Sequence, residues 1–295
     1  MLTLEYLKAL SDQYSEALSF STRSISIRNK QFERPPHLMG VINLSPDSWY
    51  RESVCLNSDQ AVQRGKRLVA EGAEIIDIGA ESTLLHADRV EGQAQLARLL
   101  PVIEQLSQLD SLVSIETYSA QVAEACLKSG ATVLNITGVQ ENKALYRLAA
   151  DHQAGVIICY TQAANVREAE NLELDEDPIP QFLEFFKRET NVASEAGVEA
   201  IWIDPGLGFY YKNLQDSSQR VRYQIQTFLN TFRLRELGWP VCHALPHAFE
   251  TFGDEVRSAE GFFAVSAILG KTDLLRTHEI PKVKAVVDTL KLFDS

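Results

Sequence analysis

Cysteine is scarce in this 295-residue chain. Cys55, Cys126, Cys159 and Cys242 lie far apart and form no Cys-x-x-Cys pair. That excludes a disulfide framework and a cysteine zinc knuckle, and it reads the thiols as small buried hydrophobes in a reducing compartment. No apolar run approaches the roughly 20 residues of a membrane span, and the N-terminus lacks the apolar core of a secretory leader. Positive charge is in deficit: 28 Lys and Arg face 40 Asp and Glu, a formal net charge of −12. A non-specific nucleic-acid binder needs a basic face, so that class is excluded. These absences predict a cytoplasmic protein, or the mature part of an organellar one, with neither membrane nor nucleic acid as partner. An anionic ligand would need cations gathered locally. Gly-x-Gly-x-x-Gly is missing, which argues against a doubly wound nucleotide-binding sheet. There is no internal repeat and no low-complexity segment.

What is present is an alternation. Short, continuous runs rich in Val, Ile and Leu recur at 38–43, 75–79, 112–115, 133–134, 156–159, 200–203, 241–244 and 273–275. Such runs fit strands buried on both faces of a parallel sheet. Helix-period segments separate them at 58–71, 91–108, 119–129, 142–151, 180–196, 216–237 and 255–270, with 279–293 last. Val122, Ala123, Cys126 and Leu127 make a small apolar helix face, and Phe182, Phe185, Phe186 and Val192 a larger one. Eight strand–helix units predict a (β/α)8 barrel over residues 37–295. Residues 1–36 form an extension: a helix over 1–20, an edge strand over 24–28, and Pro35-Pro36 at the barrel entry. It would close the barrel's bottom, or else stand as a solvated or partner-binding arm.

In this fold the active site is built at the C-terminal ends of the strands. The polar residues there are Asn43; Glu81, Ser82 and Thr83; Glu116 and Thr117; Asn135; Tyr160; Asp204; His243 and His247; Arg276 and His278. Any one alone reads as a helix cap or loop former. Polar residues at all eight ends of one face read as a ligand site. Asn43, Arg276 and His278 come from the first and eighth strands, which are neighbours in a closed barrel, and predict an anion subsite. The bland alternative for Arg276 is a salt bridge to Glu279 or Asp254. Glu116, Asn135 and Asp204 predict a subsite that reads a heterocycle edge rich in N–H donors. Asp204-Pro205-Gly206 also reads as a turn, which is compatible with that role.

Six segments carry a family likeness in order: Met39-Gly-Val-Ile-Asn-Leu-Ser-Pro-Asp-Ser48, Ala73-Glu-Ile-Ile-Asp-Ile-Gly-Ala-Glu-Ser-Thr83, Ser114-Ile-Glu-Thr117, Leu134-Asn135, Asp204-Pro-Gly-Leu-Gly-Phe209 and Arg276-Thr-His278. From His37 onward the chain resembles dihydropteroate synthases, which join a pterin methyl diphosphate to p-aminobenzoate in folate biosynthesis. The resemblance implies that Asn43, Thr83, Arg276 and His278 contact the diphosphate, Arg276 and His278 being the catalytic pair. It also implies a magnesium ion at Asn43, pterin contacts from Glu116, Asn135 and Asp204, and a cytoplasmic homodimer. The chain departs from the family where Ser-Arg-Lys is replaced by Pro246-His247-Ala248, and where Glu-Ser-Thr-Arg-Pro becomes Glu81-Ser82-Thr83-Leu84-Leu85. Glu116 stands where the family has aspartate. His247, Arg89, Arg51 and Lys212 are candidates for replacement charge. The alternative is a catalytically silent pterin-binding paralogue acting as a sensor or partner subunit. A third possibility, a pterin-dependent methyl transferase domain, would sit beside a cobalamin-binding partner, and this chain contains none.

Overall fold

A computed structural model describes residues 2–45, 54–81, 90–168, 175–209, 211–214 and 216–293. The chain opens with helix α1 (Leu4–Gln13), which the N-cap Thr3 starts by accepting from the Tyr6 N–H. The expected single helix over 1–20 breaks at Tyr14, whose φ of −121° is not helical, and a 3-10 turn, Ser15–Ser19, follows. Arg233 takes the Tyr14 ring, its guanidinium carbon 3.8 Å from the ring centroid. The expected edge strand is one arm of a hairpin, β1 (Ile25–Ile27) with β2 (Lys30–Phe32), paired antiparallel. With Phe32 as its one apolar residue, Lys30-Gln31-Phe32 shows no alternation to read.

The barrel strands are β3 (His37–Asn43), β4 (Ile75–Gly79), β5 (Leu112–Thr117), β6 (Val133–Ile136), β7 (Gly155–Cys159), β8 (Ile201–Asp204), β9 (Cys242–Ala244) and β10 (Leu274–Thr277). They pair in parallel in the order β8-β7-β6-β5-β4-β3-β10-β9. A parallel bridge between Ile203 and Val241, with Ile203 N–H on the Pro240 carbonyl at 3.0 Å, sets β8 beside β9 and closes the ring. Around it run α2 (Ser58–Glu71), α3 (Gly92–Leu106), α4 (Ala120–Lys128), α5 (Asn142–Asp151), α6 (Ile179–Glu195), α7 (Ser217–Leu234), the short α8 (Phe249–Phe252), α9 (Ala259–Leu269) and α10 (Ile280–Lys291). The architecture is the (β/α)8 barrel that the alternation predicts.

Local chemistry sets the boundaries. Asn57 caps α2 by accepting from the Gln60 N–H at 2.9 Å, and Gly72, at φ 110°, ends it in a left-handed turn that a side chain would strain. Along each strand alternate side chains face opposite ways. One set joins the helices in the outer core, where Val113, Ile115, Leu134, Val156 and Ile158 meet Phe182, Phe186 and Val122. The other set points into the barrel. Its lowest layer is apolar, with Met39, Ile75, Leu112, Val133, Ile157, Trp202, Cys242 and Leu274 packed on Ile25, Ile27 and Phe32 of the hairpin. Phe32 meets Trp202 edge-on at 5.2 Å. Gly155 makes room for the hairpin, since a Cβ there would lie 2.4 Å from Ile27 Cδ1. The extension therefore plugs the barrel's bottom through residues 25–32, while α1 buries no residue.

Candidate active site

Two residues above the apolar layer, the same inward-facing set turns polar: Asp77, Ser114, Asn135, Cys159, Asp204 and Arg276. In the strand pairing Asp77 stands opposite Ser114, Asn135 opposite Glu116 and Asp204 opposite Cys159, while Arg276 stands beside Met39, so the floor is joined across the stagger of the strands by its side chains. Asp77 is fully buried and sits at the centre. It accepts Arg276 Nε at 2.7 Å, Ser114 Oγ at 2.7 Å and Asn135 Nδ2 at 3.1 Å. Arg276 Nη2 donates to Glu116 Oε2 at 2.6 Å, so one guanidinium bridges two carboxylates. Cys159 donates its S–H to Asn135 Oδ1 at 3.2 Å, which fixes the orientation of that amide. Asp204 Oδ1 accepts the Gly206 N–H at 2.7 Å, the turn expected of Asp-Pro-Gly.

Three acids around one arginine make an electrically loaded floor. Burial pushes the Glu116 carboxyl up to about 7, against the pull of Arg276. Burial also pushes Asp204 up to about 6, opposed by the Gly206 N–H and by Arg276. Burial works against the charge of Arg276 as well, but Asp77, Glu116 and Asp204 hold its pKa above the ordinary arginine value. The Cys159 and Cys242 thiols are driven up by the same burial and stay protonated.

This floor opens into a cleft at the strand C-termini. Asn43, Glu81, Glu116, Asn135, Asp204, Arg276, His247 and His278 line it together, with Phe209, Tyr211, Leu214, Arg220, Pro246 and Ala248 along one wall. Across the middle strand, Gly79 leaves a gap between Asn43 and Glu116: a Cβ built there would lie 3.9 Å from Asn43 Oδ1 and from Glu116 Oε2. Arg220 Nη1 donates to the Leu214 carbonyl at 2.9 Å and Nη2 to Glu250 Oε2 at 2.7 Å, tying the loop after β8 to α8.

At the rim, His278 Nδ1 lies 2.8 Å from Oε1 of Glu260, a fully buried residue at the start of α9. His247 Nε2 lies 3.0 Å from the same oxygen. Burial works against the Glu260 charge, yet the bonds from His247 and His278 hold its pKa well below the usual carboxylate range. Burial lowers His278 to about 4, against the pull of Glu260. The consistent state at neutral pH is an ionised Glu260 beside a neutral His278.

The structure thus brings Asn43, Glu116, Asn135, Asp204, Arg276 and His278 into one cleft. It differs from the expected subsites in one respect: Arg276 does not stand apart with Asn43 and His278 as an anion clamp. Its inward-facing position on β10 delivers it to the floor, where Asp77 and Glu116 capture the guanidinium. The salt bridges considered for it to Glu279 and Asp254 do not form; Arg257 takes Glu279 at 2.7 Å. Thr83, Ser82, Leu84, Leu85, Arg51 and Arg89 lie outside the described residues, as does the side chain of Lys212. Tyr160 and His243 were expected at the cleft and face outward instead, on the other set of strand side chains. Tyr160 packs among Phe182, Phe185 and Phe186. His243 lies 2.8 Å from the Thr231 hydroxyl and meets the Phe228 ring, and burial lowers it to about 3. Thr117 accepts the Ser119 N–H at the entry to α4. Asp77 and Glu260 were missed. Asp77 had a signal, because Ile75-Ile76-Asp77-Ile78-Gly79 read with period 2 puts the aspartate inside. Glu260 had none.

A closed (β/α)8 barrel with a carboxylate-and-amide floor of this kind is the frame of an enzyme that binds a polar heterocycle. Residues 39–246 match the family model of pterin-binding enzymes. The chain is 32% identical over 226 residues to the dihydropteroate synthase of Clostridium beijerinckii, covering 74% of this chain and 77% of that one. It is 30% identical over 260 residues to a probable bifunctional folylpolyglutamate synthase/dihydropteroate synthase of Haloferax volcanii, covering 85% of this chain but 30% of that longer protein. The dihydropteroate synthase of Clostridium difficile, solved in the presence of pteroic acid, superposes with a TM-score of 0.74 at 28% identity over 88% of this chain and 97% of that one. The chain belongs to the dihydropteroate synthase family.

Proposed function

We propose that the protein joins a 6-hydroxymethyl-dihydropterin diphosphate to p-aminobenzoate with loss of diphosphate, in folate biosynthesis. The observation that carries this reading is the floor, where Glu116, Asn135 and Asp204 converge beside a fixed guanidinium. A pterin presents an amidine-like row of donors, and Asp204 and Glu116 read it by paired hydrogen bonds. Asn135, held by Asp77 and Cys159, adds an oriented amide. Arg276 belongs to this pterin set, where it neutralises the carboxylates. Asn43, His278 and Thr83 form the diphosphate set. The reaction makes one bond, from the aryl amine nitrogen to the pterin methylene. It breaks the carbon–oxygen bond, whose electron pair leaves on the diphosphate, and the amine gives up a proton. Negative charge grows on the leaving group, so donors fixed around it accelerate the step.

Asn43 offers a carboxamide oxygen of the hard class that magnesium takes, with most of the coordination shell left to phosphate and water. That donor fits a magnesium ion carried in with the diphosphate, and the ion would neutralise charge there. Arg220, on the wall with Phe209 and Leu214, supplies a cation for the aminobenzoate carboxylate in place of the family arginine. The assembly we propose is a homodimer in the cytoplasm. In its support, Phe262, Val265 and Leu269 expose one apolar face of α9. No helix among the described residues is long and apolar enough to cross a membrane.

A second reading, the silent pterin-binding paralogue, is favoured by one observation. Ala248, at φ 49° and buried on the cleft wall, offers no ammonium where the family places its lysine. Product formation from pterin diphosphate, p-aminobenzoate and magnesium decides between them. Turnover supports the first reading. Pterin binding without turnover, unchanged in Ala248→Lys with Leu84→Arg, supports the second. In either case Asp204→Asn weakens pterin binding by about 1–3 kcal/mol and diphosphate binding by less; equal losses, measured by calorimetry, would show the two subsites to be misassigned.

A further inference from the structure

Two imidazoles and a carboxylate meet at the rim, and of the three only His278 has a part in the proposed transfer. His247 follows β9, His278 follows β10 and Glu260 begins α9. The ligand atoms of all three lie within 4.8 Å of one another. Among the described residues this is the one such group of three His, Cys, Asp or Glu. His247 Nε2 and His278 Nδ1 approach the same oxygen, Glu260 Oε1, at 3.0 and 2.8 Å, and the two rings stand 4.9 Å apart. The other oxygen, Oε2, accepts the N–H of His278 at 2.9 Å, the N–H of Glu279 at 3.2 Å and the Thr277 hydroxyl. Both imidazoles line the cleft.

We infer that His247, Glu260 and His278 form a site for a transition-metal ion of the zinc class, open on its fourth side to the cleft. Ligand type selects the ion: two imidazole nitrogens and one carboxylate oxygen suit zinc, cobalt or nickel, whereas magnesium demands an oxygen shell and keeps its waters. The reach is short. Bonds of roughly 2.0–2.2 Å in a tetrahedral site set ligand atoms roughly 3.3 Å apart, so the nitrogens need retreat from Oε1 by about half an ångström or less. The outer shell is already in place, because three donors fix Oε2 and orient the carboxylate. The open side would let a water or an anionic ligand oxygen complete the coordination. This site shares His278 with the proposed diphosphate set but lies apart from the magnesium position proposed at Asn43, and because it is read without substrate its test does not depend on the pterin reading. Without metal the same contacts are a His278–Glu260 hydrogen bond and a 3.0 Å approach of His247 to the same oxygen, and the experiment separates the two cases.

The test uses the whole protein, stripped with a chelator and titrated with Zn2+ by calorimetry and with Co2+ by visible absorption. One ion per chain is expected, with the intense absorption of a low-coordinate cobalt centre and no competition from millimolar Mg2+. His247→Ala should weaken zinc by more than the roughly 10–100-fold that loss of an outer-shell partner costs, and Thr277→Val should fall within that range. Glu260→Gln should abolish the cobalt spectrum; if that variant does not fold, His247→Ala decides alone, since His247 lies on a loop. Zinc affinity identical in the wild type and His247→Ala, or less than one ion per chain at saturation, overturns the inference and leaves two imidazoles beside a buried carboxylate.

Discussion

At the bottom of the barrel Ile75, Leu112, Val133, Trp202 and Leu274 close on a hairpin of Ile25, Ile27 and Phe32. Two residues further along the same strands stand Asp77, Ser114, Asn135, Asp204 and Arg276, tied to one another by charge and hydrogen bonds. The backbone is the same and one pleat separates them, but the energetics are opposite. The lower layer removes apolar area from water and stabilises the fold in proportion to that area. The upper layer, with Glu116 just above it, takes three acids and a guanidinium out of water. There burial works against the charges of Glu116 and Asp204 and pushes their carboxyls up, while the acids around Arg276 hold its charge. The bottom is built for stability and the top holds a ligand surface at stability's expense.

The largest expected effect breaks the bottom alone. Trp202→Ala removes the biggest side chain of the lower layer and should cost about 3–5 kcal/mol in chemical denaturation. Pterin affinity of the folded fraction should stay within about twofold, since Asp204 is held by its own turn rather than by the indole. A parallel fall in affinity would show that the two layers are one mechanical unit.

That contrast also explains what the sequence discloses. The strands were legible because parallel strands buried on both faces read as apolar runs whichever way each side chain points. The polar ends were legible because Asn43, Glu116, Asn135, Asp204, Arg276 and His278 interrupt those runs at matching places. The direction of each residue was harder to read. Tyr160 and His243 are polar residues at strand ends, but they lie one step out of phase with Cys159 and Ala244 and so face the helices. Applying the period of 2 strictly within each strand would have exchanged Tyr160 for Cys159 and found Asp77. Glu260 is different in kind: it lies at the start of a helix, and only the fold brings it beneath His247 and His278. The hairpin plug was half visible, as alternation over 24–28, but its contact with Trp202 spans most of the chain.

A smaller effect tests the top. Glu116→Gln keeps the shape and removes the ionisation. In the wild type the folded pKa of about 7 exceeds the unfolded value near 4.5, so the native state holds the proton more tightly. Stability from this group is therefore fully present at low pH and declines as pH rises from about 4.5 to about 7. The variant should lose that slope and be as stable as the wild type at pH 8, or more so by on the order of 1 kcal/mol, while binding pterin less well. Asp204, raised to about 6, contributes a decline of the same sign at lower pH, so the comparison is cleanest between 6 and 7. An unchanged slope in denaturation midpoints across that window would remove Glu116 as its source.

The smallest effect fixes where the bottom ends. Helix α1 buries no residue, and Leu4 on it is 81% exposed. The first anchors come later, at Tyr14 under Arg233, at buried Ala17, and in the hairpin itself. Deleting residues 1–12 should therefore change stability by less than about 0.5 kcal/mol, the range of surface changes that touch no buried feature. Deleting through Phe32 should instead open the lower layer, because Met39, Ile75 and Trp202 would face water where the hairpin stood. Matched melting curves for the two truncations give the answer. If the shorter deletion is as damaging as the longer one, α1 is part of the plug, and the apolar end of the barrel extends further than its buried side chains indicate.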